Sequence, residues 1–360
     1  MSEQATPTRH SQLKYRLRTR IPEDLFDAMP ENVQDFLLNI AQEDIREGQL
    51  TTILNLPWKT RNTLPPVNLP LAKSTLDRSH YAMTGVKEKV MRFIACQKHL
   101  GCNYGAVLLL VGPPGVGKTS IAVSIARAMG RACVKISLAG VADALYLRGV
   151  QQVFQNARPG RIVEALIRGR SFCPVILLDE IDKMGNSREH GSPENVLLDL
   201  LDSDRSLFVD NYLNFPLDLS NAIFIATANS LEPLSPVLKD RMDIVELPSY
   251  APTDKRRILQ GYVWPKLIEE YQLDALDKLH HPEDEIFICT EGLELADDAA
   301  QELIRMCTEE GVRDLERVCR SLCEAVIGIY YAQGILYKRI DAQSLPTLLG
   351  PVFYQNKPTV

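Results

Sequence analysis

Residues Gly112 to Ser120 read GPPGVGKTS. Within them, Gly112-Pro113-Pro114-Gly115-Val116-Gly117-Lys118-Thr119 has the spacing G-x-x-x-x-G-K-[ST] of a phosphate-binding loop. The chemistry requires those residue types. Glycines let successive backbone N–H groups converge on phosphate oxygens, and the start of a following helix adds a favourable partial charge. Lys118 would reach the β and γ phosphates of ATP, and the Thr119 hydroxyl would take Mg²⁺. Ser120 follows as the last residue of the ATP-binding set.

Five further positions could complete a hydrolytic site. VILLDEIDK (175–183) is an apolar run ending in Asp179-Glu180, some 60 residues after Thr119. Asp179 would sit in the outer coordination of Mg²⁺, and Glu180 would polarise a water for attack on the γ phosphate. IATANS places Asn229 at the end of another apolar run, where an amide could orient that water. Taken alone it reads better as a turn-forming asparagine. LKDRMD presents Arg241, and GVRDLER presents Arg313. Each could stabilise charge on a transferring phosphoryl group, and each in isolation is equally a surface salt-bridge partner.

These residues need elements to hold them. Short apolar runs AVLLLV (106–111), CVKISL (133–138), PVILLDE (174–180), AIFIATAN (222–229) and DIVELP (243–248) alternate with helical stretches. That is the texture of a parallel sheet covered on both faces, an α/β fold. The phosphate loop follows the first run and opens the helical TSIAVSIARAM, the strand–loop–helix setting that its mechanism requires. The expected division is a polar, basic and disordered tail (1–21), a helical N-terminal segment with a proline-rich linker (22–75), an α/β ATPase domain (76–250), a helical lid (251–350) and a tail (351–360). A single amphipathic helix is expected over 79–100.

Composition narrows the classes. The chain has 360 residues, 45% hydrophobic and 24% charged, which suits a globular protein with a sizeable core. A net charge of −6 argues against a broad nucleic-acid surface, and the one basic cluster, RHSQLKYRLRTR (9–20), reads as a solvated tail. No apolar run approaches the ~18 residues needed to span a membrane. The eight cysteines have neither CxxC nor zinc-site spacing and read as reduced thiols of a cytoplasmic or organelle-lumen protein.

Together the motifs resemble those of an AAA+ P-loop ATPase, and more specifically the ATPase portion of the Lon proteases. The resemblance rests on GPPGVGKTSIAVSIARAM, RGVQQVFQNARPGRI (148–162), LLDEIDKM (177–184), FVDNYLNFPLDLSNAIFIATANSLEPLSPVLKDRM (208–242) and GVRDLER (311–317), in order and at Lon-like spacing over roughly 25–352. It implies an α/β core with a parallel sheet and a helical C-terminal lid. It also implies Asn229 as the sensor-1 residue, Arg241 as an arginine finger acting in trans, and Arg313 as the sensor-2 residue. His80 and Tyr81 fall on the adenine side, and Phe154 falls in the pore loop. That loop reads Phe154-Gln155-Asn156 where the family has aromatic-aliphatic-Gly, and Ala82 stands where a glycine follows the His-Tyr pair.

What the resemblance implies is an ATP- and Mg²⁺-dependent homo-oligomeric ring motor, a hexamer, acting on polypeptide; the acidic balance and the absence of a spanning apolar run add the expectation of no nucleic-acid and no membrane partner. No stretch resembles the Ser–Lys peptidase dyad or the large N-terminal substrate domain. The expectation is therefore an unfoldase without its own peptidase, working with a separate peptidase. The alternatives are a regulatory subunit or scaffold joining a full-length Lon, or a piece of such a protease. Phe154 has a second reading, as a core anchor.

Overall fold

In the computed structural model, the described residues are 8–40, 45–61, 64–100, 107–185, 191–202, 207–273 and 293–350. They fall into two compact units. The first comprises the described residues up to Leu76 with Gly85–Val111 and Thr119–Glu246; the second comprises Asp77–Thr84, Gly112–Lys118 and the described residues from Leu247 onward.

The first unit is built on a five-stranded parallel sheet in the order β2-β3-β6-β1-β7. The strands are β1 (Leu108–Val111), β2 (Cys133–Ser137), β3 (Val175–Asp179), β6 (Ile223–Ala228) and β7 (Asp243–Glu246). Two short strands, β4 (Phe208–Val209) and β5 (Pro216–Leu217), pair antiparallel between β3 and β6 in the sequence. The central strands β1, β3 and β6 are buried along their whole length, as their continuous apolar runs require. The edge strands differ from that expectation. In β2 only Ile136 is buried, and in β7 only Val245, because an edge strand has a neighbour on one side only.

The described part of the expected tail, residues 8–21, is folded. Among residues 8–21, Leu13, Leu17 and Ile21 are buried, and a short helix spans Tyr15–Arg18. Two of the basic residues are held by carboxylates: Arg9 by Glu31 and Asp35, and Arg20 by Glu47. The apolar residues interleaved among the arginines form the inward face that a reading of charge alone overlooks. Helices Glu23–Ala28, Glu31–Asn39 and Glu47–Asn55 continue this layer and share one hydrophobic core with the sheet. The proline-rich stretch is likewise anchored. Trp58 is buried, its indole N–H donates to the Ile53 carbonyl at 2.7 Å, and its ring lies 5.2 Å from that of Phe172.

The helix expected over 79–100 starts only at Thr84 and runs to Leu100, while a separate helix, Leu69–Ser79, ends where it was expected to begin. Ala82 and Met83 between them adopt φ of 52° and 55°, a left-handed backbone that no helix can pass through.

The second unit is mostly helical, as its sequence suggests. Its core joins Ile258, Leu259, Trp264, Leu267, Leu303, Leu315, Leu322 and Val326. Helices Asp297–Met306 and Arg313–Gln333 carry much of it, and a short parallel pair, β8 (Glu294–Leu295) and β9 (Arg339–Ile340), ties the C-terminal end back. The helical run beginning at Pro252 widens to a π turn over Leu259–Val263. Pro265 lies just beyond it and lacks the N–H needed for the next regular bond. The unit also takes in 77–84 and the loop 112–118, so its composition departs from the expected boundaries at 76 and 250. Tyr250 donates to the Val116 carbonyl at 3.0 Å, and Tyr262 donates to that of Asp77 at 3.3 Å.

Candidate functional site

In the first unit the candidate hydrolytic residues gather at the C-terminal ends of β3 and β6. Asp179 ends β3 and is buried. Its Oδ1 accepts from the Thr119 hydroxyl at 3.2 Å and from the Thr227 hydroxyl at 2.6 Å, and its Oδ2 pairs with Lys135 Nζ at 2.5 Å. Burial opposes ionisation of this carboxyl, but the Lys135 ammonium and the two hydroxyls outweigh it and hold its pKa below the usual value.

Thr227 does a second job. Its oxygen accepts the Glu180 backbone N–H at 3.0 Å. Glu180 sits at φ 59°, ψ 50°, a left-handed conformation unfavourable for a side-chain-bearing residue. One buried hydroxyl thus fixes both members of the acidic pair. The Glu180 side chain is about one-third exposed and accepts from Lys183 Nζ at 2.6 Å. Asn229 is held through its backbone, its N–H donating to Asp182 Oδ2 at 3.0 Å. The Arg241 side chain is about one-third exposed and donates to the Leu198 carbonyl at 2.7 Å and to Asp202 at 3.2 Å.

Phe154 is 58% exposed and its neighbour Val153 is 77% exposed, so this aromatic lies outside the core. The segment carrying them is closed at its base by a bridge between Val150 and Arg158. Beneath it lies Asp210, fully buried. Its carboxylate accepts the N–H groups of Gly160 (2.8 Å), Tyr212 (2.9 Å) and Leu213 (3.1 Å). Burial raises its pKa to about 6, against the lowering effect of the three N–H groups and with a smaller push from nearby Glu164. Gly160 is obligatory there: a Cβ on it would sit 2.0 Å from the Leu147 carbonyl oxygen. The same turn is gripped by Gln49, whose amide donates to the Tyr212 and Leu213 carbonyls, both at 3.1 Å.

In the second unit, the phosphate loop has Gly115 at φ 79° and Gly117 at φ 96°, conformations that favour glycine. Lys118 Nζ donates to the carbonyls of Gly112 (2.6 Å) and Pro113 (2.7 Å). The turn before helix Arg313–Gln333 meets this loop backbone to backbone. Val312 N–H donates to the Gly115 carbonyl at 3.0 Å, and a Cβ on Gly311 would lie 2.3 Å from the Gly115 carbonyl carbon. Arg313 Cβ is 3.0 Å from where a Cβ of Gly115 would stand. His80 is buried beside the Ser79 hydroxyl (2.9 Å), and Tyr81 hydrogen-bonds Arg257, whose guanidinium lies 5.7 Å from the ring centre.

An oxygen set of hydroxyl and carboxylate suits a hard divalent cation. The 3.2 Å approach of Thr119 to Asp179 presents both at one point, so these residues fit Mg²⁺. The glycine conformations and the helix opening at Lys118 fit a polyphosphate. Sequence reasoning overlooked Thr227, Asp210, Lys135 and Gly311. Thr227 had a signal, being the one hydroxyl within the otherwise apolar run IFIATA.

The site and the sheet order define the class. Residues 108–250 match the family described as "ATPase family associated with various cellular activities (AAA)", and the chain carries an AAA ATPase domain. The chain is 38% identical over 319 residues to a Lon protease of Dictyoglomus thermophilum, covering 87% of the chain and 38% of that protein. A Lon protease of Nitratidesulfovibrio vulgaris is 41% identical over 320 residues (88% and 37%). The peroxisomal Lon protease homolog 2 of Spinacia oleracea is 39% identical over 278 residues (77% and 30%). The chain belongs to the Lon protease family, sharing with its members a stretch that includes the ATPase domain, and it spans about a third of the length of these relatives. Among the described residues, no helix is long and apolar enough to cross a membrane.

Proposed function

We propose that the chain hydrolyses ATP as the motor of a Lon-type ring and uses that energy to grip and unfold or remodel polypeptide. The observation that carries the reading is the Thr227 hydroxyl, which holds the Asp179 carboxylate and the backbone of Glu180 at once. The loop 112–118 takes the phosphates, with Lys118 leaving its loop carbonyls for the β and γ oxygens. Thr119 and Asp179 would hold Mg²⁺, which when bound supplies charge neutralisation at the phosphates. Glu180 accepts the proton of the attacking water, Asn229 orients it, and Arg313 contacts the nucleotide phosphates.

Arg241 serves a neighbouring subunit, which requires a homo-oligomer; we take it to be a hexamer. Phe154 and Val153 face substrate, where flat apolar side chains hold a polypeptide without reading its sequence. The proposal for these 360 residues stops at remodelling; peptide-bond cleavage, in the relatives called proteases, is not part of it. The compartment proposed is the cytoplasm or an organelle lumen.

Glu180→Gln tests the reading. It keeps shape and loses basicity, so ATP should stay bound while turnover falls by about 10²-fold or more. Turnover at the wild-type rate would sink the assignment.

A further inference from the structure

Asp179 is the one carboxylate proposed to face the metal, and it already has a cation. Lys135 lies on the edge strand β2, two residues before Ser137, which pairs with Asp179 in the parallel register. Residues two apart share a sheet face, so Lys135 and Asp179 rise on the same side. Lys135 Nζ is 2.5 Å from Asp179 Oδ2, and the lysine side chain is about half exposed while the carboxylate is buried. Oδ1 is already engaged by the hydroxyls of Thr119 and Thr227. A flexible, hydrated ammonium on an edge strand can leave this pairing at a modest cost, far below that of displacing a buried partner.

Resting on the nucleotide-site reading above, we propose that Lys135 is a resident counter-ion of Asp179 that competes with Mg²⁺ for this carboxylate, setting how much metal the site needs before it binds nucleotide. Without metal, Lys135 neutralises the buried carboxylate. With Mg²⁺ bound, the Lys135 ammonium would give up Oδ2 and turn toward solvent. Lys135 is thus a positioning residue that tunes the metal requirement and takes no part in the bond-breaking step.

The sign of the effect separates this role from a structural one. A lysine needed only to keep the site folded would, when removed, weaken Mg²⁺ binding; a competitor would, when removed, strengthen it. The measurement is the Mg²⁺ concentration that half-saturates binding of β,γ-imido-ATP, followed by equilibrium dialysis, with no turnover involved. Lys135→Met should lower it by about tenfold, the scale of removing one unit charge beside a partly exposed site. Lys135→Arg should raise it by about twofold or more, since a guanidinium can hold both carboxylate oxygens. If Lys135→Met does not fold, Lys135→Gln and the arginine variant still give opposite expected shifts. An unchanged or higher Mg²⁺ requirement in Lys135→Met or Lys135→Gln overturns the competition. Wild-type protein that binds no nucleotide at any Mg²⁺ concentration overturns the nucleotide reading itself, and this inference with it.

Discussion

Thr227→Val removes one oxygen and keeps the side-chain shape. Thr227 is 1% exposed, so water cannot replace what is lost. Two bonds go: the donation to the ionised Asp179 at 2.6 Å and the acceptance from Glu180 N–H at 3.0 Å. A hydrogen bond to a charged group contributes about 1.5–3 kcal/mol, and an orphaned buried N–H costs about 1–3 kcal/mol. The added methyl recovers up to about 1 kcal/mol. The net expectation is a loss of about 3 kcal/mol. The kinetic effect follows from Glu180, whose left-handed backbone is held against a relaxation worth about 1–3 kcal/mol. Once released, the carboxylate leaves its position, and because a positioned base contributes about 10²–10⁴-fold, kcat for ATP should drop about 10- to 100-fold. KM should change little, since the loop 112–118 is untouched. Denaturant unfolding and steady-state ATPase on the same preparation read both effects. Thr227→Ser, which restores the hydroxyl, should recover kcat while losing a methyl's packing. A valine variant with kcat within about twofold of wild type and stability within about 0.5 kcal/mol would refute the reasoning.

Gly311→Ala places a Cβ 2.3 Å from the Gly115 carbonyl carbon, and since that contact is backbone the phosphate loop must move; nucleotide affinity in a binding titration should fall about tenfold or more. Gly328→Ala, in open space within a helix, should leave affinity unchanged and raise stability by about 0.5–1 kcal/mol. Asp210, raised from 3.8 to about 6 by burial, holds its proton more tightly folded than unfolded. Its contribution is full below about pH 4 and gone above about pH 6, a difference of about 3 kcal/mol. Asp210→Asn should lack this slope in urea unfolding followed against pH, and a constant difference from wild type between pH 4 and 7 would contradict it. Phe154→Ala, at an exposed position, should change stability by less than about 0.5 kcal/mol while reducing the stimulation of ATPase by an unfolded substrate; unchanged stimulation would remove Phe154 from the proposed pore.

What the sequence discloses is what repeats with a period or fixes a spacing. The three central strands show as unbroken apolar runs because both their faces are covered, and the phosphate loop shows because its glycines and lysine stand at fixed offsets. The edge strand β2 reads like the central ones, CVKISL, although a single neighbour leaves most of it partly exposed. The break at Ala82-Met83 carries no glycine or proline to announce it, so the run 79–100 looks continuous. Lys135 and Asp210 are invisible for a different reason. Each acts on a partner about 40–50 residues away through a register or a turn, and only the folded chain supplies that distance. Gly311 stood in a motif whose arginine drew the attention, while the restriction on its own size comes from the loop facing it.

The grip of Gln49 on the turn at Tyr212 and Leu213 bears on where this protein can be cut. The stretch recognisable as an ATPase domain begins at residue 108, yet the exposed Phe154 segment stands on Asp210, and the turn holding Asp210 is braced from residue 49. Asn32 adds a second strut, donating to the Pro216 carbonyl at 2.9 Å. Hydrogen bonds thus link the base of the Phe154 segment, through Gly160 and Asp210, to helices that precede the domain by more than 50 residues of chain. An excised fragment starting at the domain's sequence boundary would leave Leu213 and Phe215 facing water and the Asp210 turn without the Gln49 and Asn32 bonds. The unit that packs together and the stretch that matches the ATPase family have different ends.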